Sequence, residues 1–330
     1  MRRPFALLAG ALLAGALAAP AASASPAADG DASFRIKDPR ITESSGLAAS
    51  HLHKGVYWTH NDSDDGPYLY AVDSATGKTL ARITLSGIGT PRDVEAISIG
   101  PDGRIYVGDI GDNLDGSWPY VWIYALPEPK KLVDRTVRAT QYVVKYSDGA
   151  RNAESMVVDP KSGRVYIIDK KEDGGHLYEG PARLSTGGSN VFEPVADVDL
   201  WATDAALSPD GRQLAVRGYF GGVLYDWKGG RIKRVGRLNV PLQGQGESVT
   251  YSADGTKLMF GSEGSDSPVT AQDAPGKGSS SSSSSSGGGG GRASGDEDGP
   301  VSGQNLKVGA GALIVLAAGF LGLRRLRGRR

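Results

Sequence analysis

Five acids, Glu43, Glu95, Glu154, Asp204 and Glu247, each open a short apolar segment that runs into a glycine turn. The copies read Glu43-Ser-Ser-Gly-Leu-Ala-Ala, Glu95-Ala-Ile-Ser-Ile-Gly, Glu154-Ser-Met-Val-Val-Asp, Asp204-Ala-Ala-Leu-Ser-Pro and Glu247-Ser-Val-Thr-Tyr-Ser. If the first strand of each copy lies innermost in a ring, all five carboxylates face one channel. Like charges gathered in a narrow, partly dehydrated space must protonate, bond backbone amides or share a cation. An all-oxygen set suits calcium or magnesium. Three readings stand: the acids staple neighbouring repeats through backbone N–H groups, they hold a calcium-like ion, or they act directly in catalysis.

Two loops add side-chain oxygens. Asn61-Asp-Ser-Asp-Asp-Gly66 has the first half of a calcium loop, but Val72 stands where an EF-hand needs Glu and strands replace the flanking helices, so it reads as an inter-strand turn or a non-EF calcium loop. Gly108-Asp-Ile-Gly-Asp-Asn113 occupies the analogous place in the next repeat, as an Asx turn or a ligand loop. Arg92, Arg151, Lys170, Lys171 and Arg217 fall near the same face, where they either offset the acids or hold an anion such as phosphate. Of the four histidines only His60 is placed to act as a base, and no G-x-S-x-G elbow surrounds Ser44, Ser155 or Ser248.

The elements that position these residues follow from the spacing. From acid to turn glycine the chain runs 8, 9, 7 and 8 residues to Gly103, Gly163, Gly211 and Gly255, and 12 to Gly55. Six residues after each glycine a second strand ends, at Asn61, Asp109, Asp169, Arg217 and Gly261. Third strands are expected at 68–72, 121–126, 176–178 and 223–227, and fourth strands at 79–85, 140–146, 195–200 and 231–240. Four short strands per repeat of roughly 40 to 60 residues predict an all-β fold, a β-propeller of about five four-stranded blades over residues 33–270. The last repeat lacks its own fourth strand, and the segment Phe34 to Ile41 is placed to pair into it and close the ring. A sixth blade around Lys130 is the alternative.

Residues 1–24 read as a signal peptide, with Arg2 and Arg3, an apolar run from Phe5 to Ala18 and small residues Ala22-Ser23-Ala24. Residues 271–305, with Ser279 to Ser286 and Gly287 to Gly291, form a disordered linker with a reach of about 30 to 35 Å. Residues 306–323 then form a transmembrane helix, and the Arg-rich tail 324–330 stays cytoplasmic under the positive-inside rule. The expectation is a monomer, single-pass in the cell membrane, with the propeller outside. The chain has no cysteine, which excludes disulfides, thiolate zinc sites and thiol catalysis. Its 37 basic and 37 acidic residues balance, and no basic block lies within the propeller, so a nucleic-acid partner is not expected.

Residues 42–50, 108–113, 152–160 and 244–255 together resemble an exported bacterial propeller family common in actinobacteria, WD-repeat-like or TolB-like. No Trp-Asp dipeptide occurs. More distantly, the acid-plus-hairpin repeat is similar to gluconolactonase-type and phytase-like propellers. The gluconolactonase-type likeness implies a Ca2+-type ion held by a Glu and Asn/Asp from several blades, with Glu43, Asp109 and Asp169 as positional candidates. The phytase-like likeness implies several calcium ions and lysines around phosphate, although its Asp-Asp-Pro-Ala motif is absent. Two function classes follow: a membrane-anchored module that binds an extracellular ligand or protein, with a divalent cation in its channel, or a calcium-dependent hydrolase of phosphoesters or lactones.

Overall fold

The computed structural model describes residues 32–62, 65–114 and 116–276. The expected signal peptide, all but the start of the linker, the apolar helix and the Arg-rich tail lie outside these residues.

The described chain is all β. After β1 (Phe34–Arg35) come β2 (Ser44–Ala49), β3 (Val56–Asn61), β4 (Tyr68–Asp73) and β5 (Thr79–Ser86). Next are β6 (Val94–Ile99), β7 (Arg104–Asp109), β8 (Val121–Pro127), β9 (Arg135–Arg138) and β10 (Thr140–Tyr146). The third group is β11 (Ala153–Val158), β12 (Val165–Asp169), β13 (Gly175–Glu179) and β14 (Ser189–Val198). Then follow β15 (Asp204–Leu207), β16 (Gln213–Gly218), β17 (Gly221–Lys228) and β18 (Arg231–Leu238), and last β19 (Ser248–Tyr251), β20 (Lys257–Gly261) and β21 (Pro268–Asp273).

Strand pairing sorts these into five antiparallel units: β2-β3-β4-β5, β6-β7-β8-β10, β11-β12-β13-β14, β15-β16-β17-β18 and β19-β20-β21-β1. The first strands, β2, β6, β11, β15 and β19, neighbour one another in a closed circuit. That is the arrangement of a β-propeller. Phe34 pairs with Val269 and Arg35 with Pro268, so the amino-terminal strand completes the last blade; of the expected segment 34–41 only these two residues form strand.

Two details depart from the expected strand plan. The stretch around Lys130 supplies β9, which adds to the first blade parallel to β5 instead of forming a sixth blade. The fourth strand of the third blade begins at Ser189 rather than Val195, because Ser189 to Phe192 pair in parallel with Val143 to Tyr146 of the second blade.

The sequence builds a wedge. Inner strands carry small side chains, as in Ser-Ser-Gly-Leu-Ala-Ala of β2, because five of them crowd around the axis. Outward, where the gap between blades widens, Tyr57, Trp58, Tyr70, Tyr124, Tyr166 and Tyr178 fill it and are fully buried. Burial of each such ring contributes about 1.5–3 kcal/mol. The apolar core divides into five layers, one between each pair of neighbouring blades, the last joining Phe34, Met259 and Val269 to Leu47, Tyr57 and Tyr70. Polar ties cross the layers as well. Trp58 Nε1 donates to Glu128 Oε1 at 2.9 Å, and Trp227 Nε1 to Asp159 Oδ2 at 2.8 Å.

Candidate metal centre in the channel

Inner strands of the first three blades carry a one-residue irregularity at the channel mouth. Ser44, Val94 and Ala153 pair with Asn61, Asp109 and Asp169, and the next paired residues are Gly46, Ala96 and Ser155. Ser45, Glu95 and Glu154 are therefore bulged out of the ladder. A bulge re-aims a side chain, and in these blades it turns the extra residue toward the axis. Blades four and five have no bulge: Asp204 pairs with Arg217 and Ser248 with Gly261. Equivalence by register thus sets Glu43 and Glu247 level with Asp93, not with Glu95.

This register explains which acids meet. Asp62, Asp93 and Glu95 place one carboxylate oxygen each so that all three lie within 4.8 Å of one another. Asp93 and Glu95 are 2% and 3% exposed, and Asp62 is half-buried. Asn113 Nδ2 donates to Asp93 Oδ2 at 3.0 Å, and Ser45 Oγ donates to Glu95 Oε2 at 2.7 Å. The buried Asp93 Oδ1 has no N–H or hydroxyl donor among the described residues, and the Asp93 side chain shares a hydrogen bond with the Asp62 carboxyl. Burial, then the Asp93 carboxylate, hold Asp62 well above the usual range. Burial, then Asp62, Glu154 and Asp93, do the same to Glu95.

Beside this cluster, Glu154 and Glu247 are each 4% exposed. Lys170 Nζ donates to Glu154 Oε1 and, at 2.8 Å, to the Tyr219 hydroxyl, and lies 5.1 Å from the Tyr219 ring centroid. Burial pushes Glu154 up to about 7 against the opposing pull of Lys170. Burial and then Glu154 push Glu247 up to about 7, and burial and then Glu247 push Glu263 up to about 8.

Three of the other expected ligands, Asp204, Asp109 and Asp169, are engaged elsewhere. Asp204 Oδ2 accepts from Val249 N at 2.7 Å and Oδ1 from Ala205 N at 2.8 Å, so this acid staples blade four to blade five. Asp109 accepts from Arg92 N, Asp93 N and the Tyr124 hydroxyl. Asp169 accepts from His176 N at 2.5 Å and from Arg151 Nη1 at 2.8 Å. Both carboxylates tie down their own blades and are fully buried. Glu43 is half-buried at the mouth, where its carbonyl accepts from Asp62 N.

Three of the cations near this face are likewise engaged. Arg92 is stacked 4.0 Å from Trp118 and 3.8 Å from Trp122 and donates to Tyr120 O. Arg151 pairs with Asp148 and Asp169, and Arg217 Nη1 donates to Ser248 O and Gly261 O. His60 is buried, 2% exposed, and burial lowers it to about 4, which removes it as a solvent-facing base. Asp62, Asp93 and Glu263 escape a sequence reading keyed to one acid per repeat. The available signal was Asp93-Val-Glu95, two acids flanking the first residue of one strand.

No protein-family model and no curated protein matches this chain. Similar solved structures include hydrazine synthase of Kuenenia stuttgartiensis, at 16% identity over 69% of this chain and a TM-score of 0.38. The chain spans 57% of that one's length. The soluble aldose sugar dehydrogenase of Escherichia coli is 13% identical over 74% of this chain and 99% of its own, with a TM-score of 0.46. A glucose dehydrogenase is 10% identical over 72% of this chain and 99% of its own, with a TM-score of 0.44. Such identities carry no activity across, and the propeller assignment rests on the strand pairing itself.

Proposed function

We propose that this chain is a membrane-anchored, extracytoplasmic propeller that binds one divalent cation of the calcium class at its channel mouth and uses it to bind an extracellular ligand. The observation that carries this reading is the convergence of Asp62, Asp93 and Glu95 within 4.8 Å, with Asp93 Oδ1 buried and lacking an N–H or hydroxyl donor. Calcium holds oxygens at about 2.3–2.6 Å, so ligands on opposite sides of one ion lie up to about 5 Å apart. A shared cation offsets the repulsion that otherwise forces protons onto these groups.

The rim fits a binding role. Phe220, 60% exposed, continues a row of rings with Tyr219 and Trp201, whose centroids are 5.2 Å apart. Export and anchoring rest on the sequence of residues 1–24 and 306–323. Calorimetric titration of the full chain in detergent with calcium tests the site. One ion is expected to bind, with affinity falling about tenfold or more in Asp93→Asn and in Glu95→Gln, equivalent to about 1.4 kcal/mol or more. Unchanged affinity in both variants contradicts the assignment.

A second reading, calcium-dependent hydrolysis of phosphoesters or lactones, is favoured by Glu154 and Glu247 beside the cluster, which burial pushes up to about 7. Such a carboxylate is suited to accept a proton from a metal-bound water at neutral pH. Turnover of a phosphoester or lactone by the calcium-loaded chain, lost on Glu154→Gln or Glu247→Gln, is the outcome that supports it; no turnover across both substrate classes removes it.

A further inference from the structure

We infer that the outer strand of blade four, β18, is a basic strip that lays the propeller on its side against an anionic lipid bilayer and leaves the channel mouth open. The inference rests on the exported, membrane-anchored reading above and uses none of the channel acids.

The chain as a whole is balanced in charge, but Lys228-Gly-Gly-Arg-Ile-Lys-Arg-Val-Gly-Arg237 places five cations in ten residues. All five are exposed. β18 is the last strand of its sheet and pairs with β17 on one side only. Lys233 stands opposite Asp226 on one face of that sheet, and Arg234 and Arg237 stand opposite Tyr225 and Val223 on the other. The cations therefore flank the free edge on both sides. Arg234 forms a salt bridge with Asp199 at 2.7 Å, whereas Lys228, Arg231, Lys233 and Arg237 have none among the described residues. Between them the ladder skips a residue: Arg234 pairs with Tyr225 and Gly236 with Leu224, so Val235 is bulged and 53% exposed.

A lysine or two is enough to blunt an edge strand against pairing with another chain. Here four cations follow the roughly 27 Å of an eight-residue strand, with Lys228 beside its first residue, and they make an extended positive surface. The outer strand of blade three, β14, carries Glu193, Asp197 and no cation, which bounds the strip on that side. A row of exposed cations with a valine among them and no aromatic ring on which to stack a base fits a planar surface of anionic headgroups better than a single-stranded nucleic acid. Outer strands lie on the circumference of a propeller, while the acids lie at the mouth of its axis. Contact through β18 thus keeps the mouth clear of the bilayer. A tether of the expected reach, about 30 to 35 Å, allows the propeller to touch that surface.

Because the chain has no cysteine, a single thiol reports on one place: Val235→Cys on the strip, or Leu80→Cys on β5 of blade one, 45% exposed, as the control. Each thiol carries a fluorophore, and the full chain is reconstituted into vesicles of phosphatidylcholine alone or mixed equally with phosphatidylglycerol, both containing a headgroup-attached quencher. Quenching at position 235 is expected to rise in the anionic vesicles and to return to the neutral value in about 1 M salt, where the Debye length is about 3 Å. The rise is also expected to be lost when Arg231→Gln, Lys233→Gln and Arg237→Gln are combined, and quenching at position 80 should stay constant. Salt reversal with the native strip keeps the test decisive should the triple variant misfold. Equal quenching at 235 in both vesicles, or an equal rise at 235 and 80, overturns the inference while the anchoring reading stands, provided that the chain floats with the vesicles. A chain that floats with neither vesicle overturns both. Saturable binding of a mixed-sequence DNA duplex that strips position 235 from the anionic bilayer assigns the strip to nucleic acid and overturns the inference as well.

Discussion

Carboxylates of one chemical type perform two jobs in this propeller, and hydrogen-bond partners separate them. Asp204, Asp109 and Asp169 are saturated by backbone amides, a phenol or an arginine, whereas Asp93 and Glu154 each keep a buried oxygen without an N–H or hydroxyl donor among the described residues. Asp204→Ala strands two buried amides, of Ala205 and Val249, and is expected to lower stability by about 2–4 kcal/mol. Urea denaturation reads that loss, and calcium affinity should stay at the wild-type value; a fall in affinity without a fall in stability would reassign Asp204 to the ion site. The presence of acids at the head of each repeat was legible in the sequence. Which of them point into the channel was not, because a single bulged residue in β2, β6 and β11 shifts the register by one, and a one-residue shift leaves no trace in a pattern of acids and glycines.

At the scale of elements, the glycine turns were the strongest signal. Gly55, Gly103, Gly163, Gly211 and Gly255 all adopt positive φ between 59° and 73°, the left-handed region a residue with a Cβ rarely enters. They fixed the first hairpin of every blade. Outer strands were harder to place, since β9 and the start of β14 pair in parallel with strands distant in sequence, and such pairings depend on tertiary proximity rather than local pattern. Closure through β1 is also an element-scale property. Phe34 packs in the layer between the last and first blades, its ring centroid 5.6 Å from that of Tyr57. Phe34→Ala is expected to cost about 2–4 kcal/mol in chemical denaturation. A loss below about 0.5 kcal/mol would mean that the two-residue strand is not what holds the ring shut.

At the scale of the whole molecule, the buried acids along the channel give stability a distinctive pH dependence. Glu154 and Glu247 are raised to about 7 and Glu263 to about 8, all chiefly by burial, from an ordinary value of 4.5. Between those limits the folded chain binds more protons than the unfolded one, so unfolding becomes easier as pH rises. The stabilising contribution is complete below about 4.5 and is lost by about 8. In EDTA the thermal midpoint should therefore fall from pH 5 to pH 8, with calcium raising it more at pH 8 than at pH 5. A midpoint that climbs over this range in EDTA would show that the channel acids are ionised at little cost.

Long-wavelength anomalous diffraction from crystals grown in millimolar calcium tests the central claim most directly. The expected result is one peak between Asp62, Asp93 and Glu95, about 2.3–2.6 Å from an oxygen of each, with the Lys170 ammonium in contact with Glu154. Carboxylates linked only by protons or water, with no peak in the channel, would contradict the account and leave the axis of this propeller a structural seam.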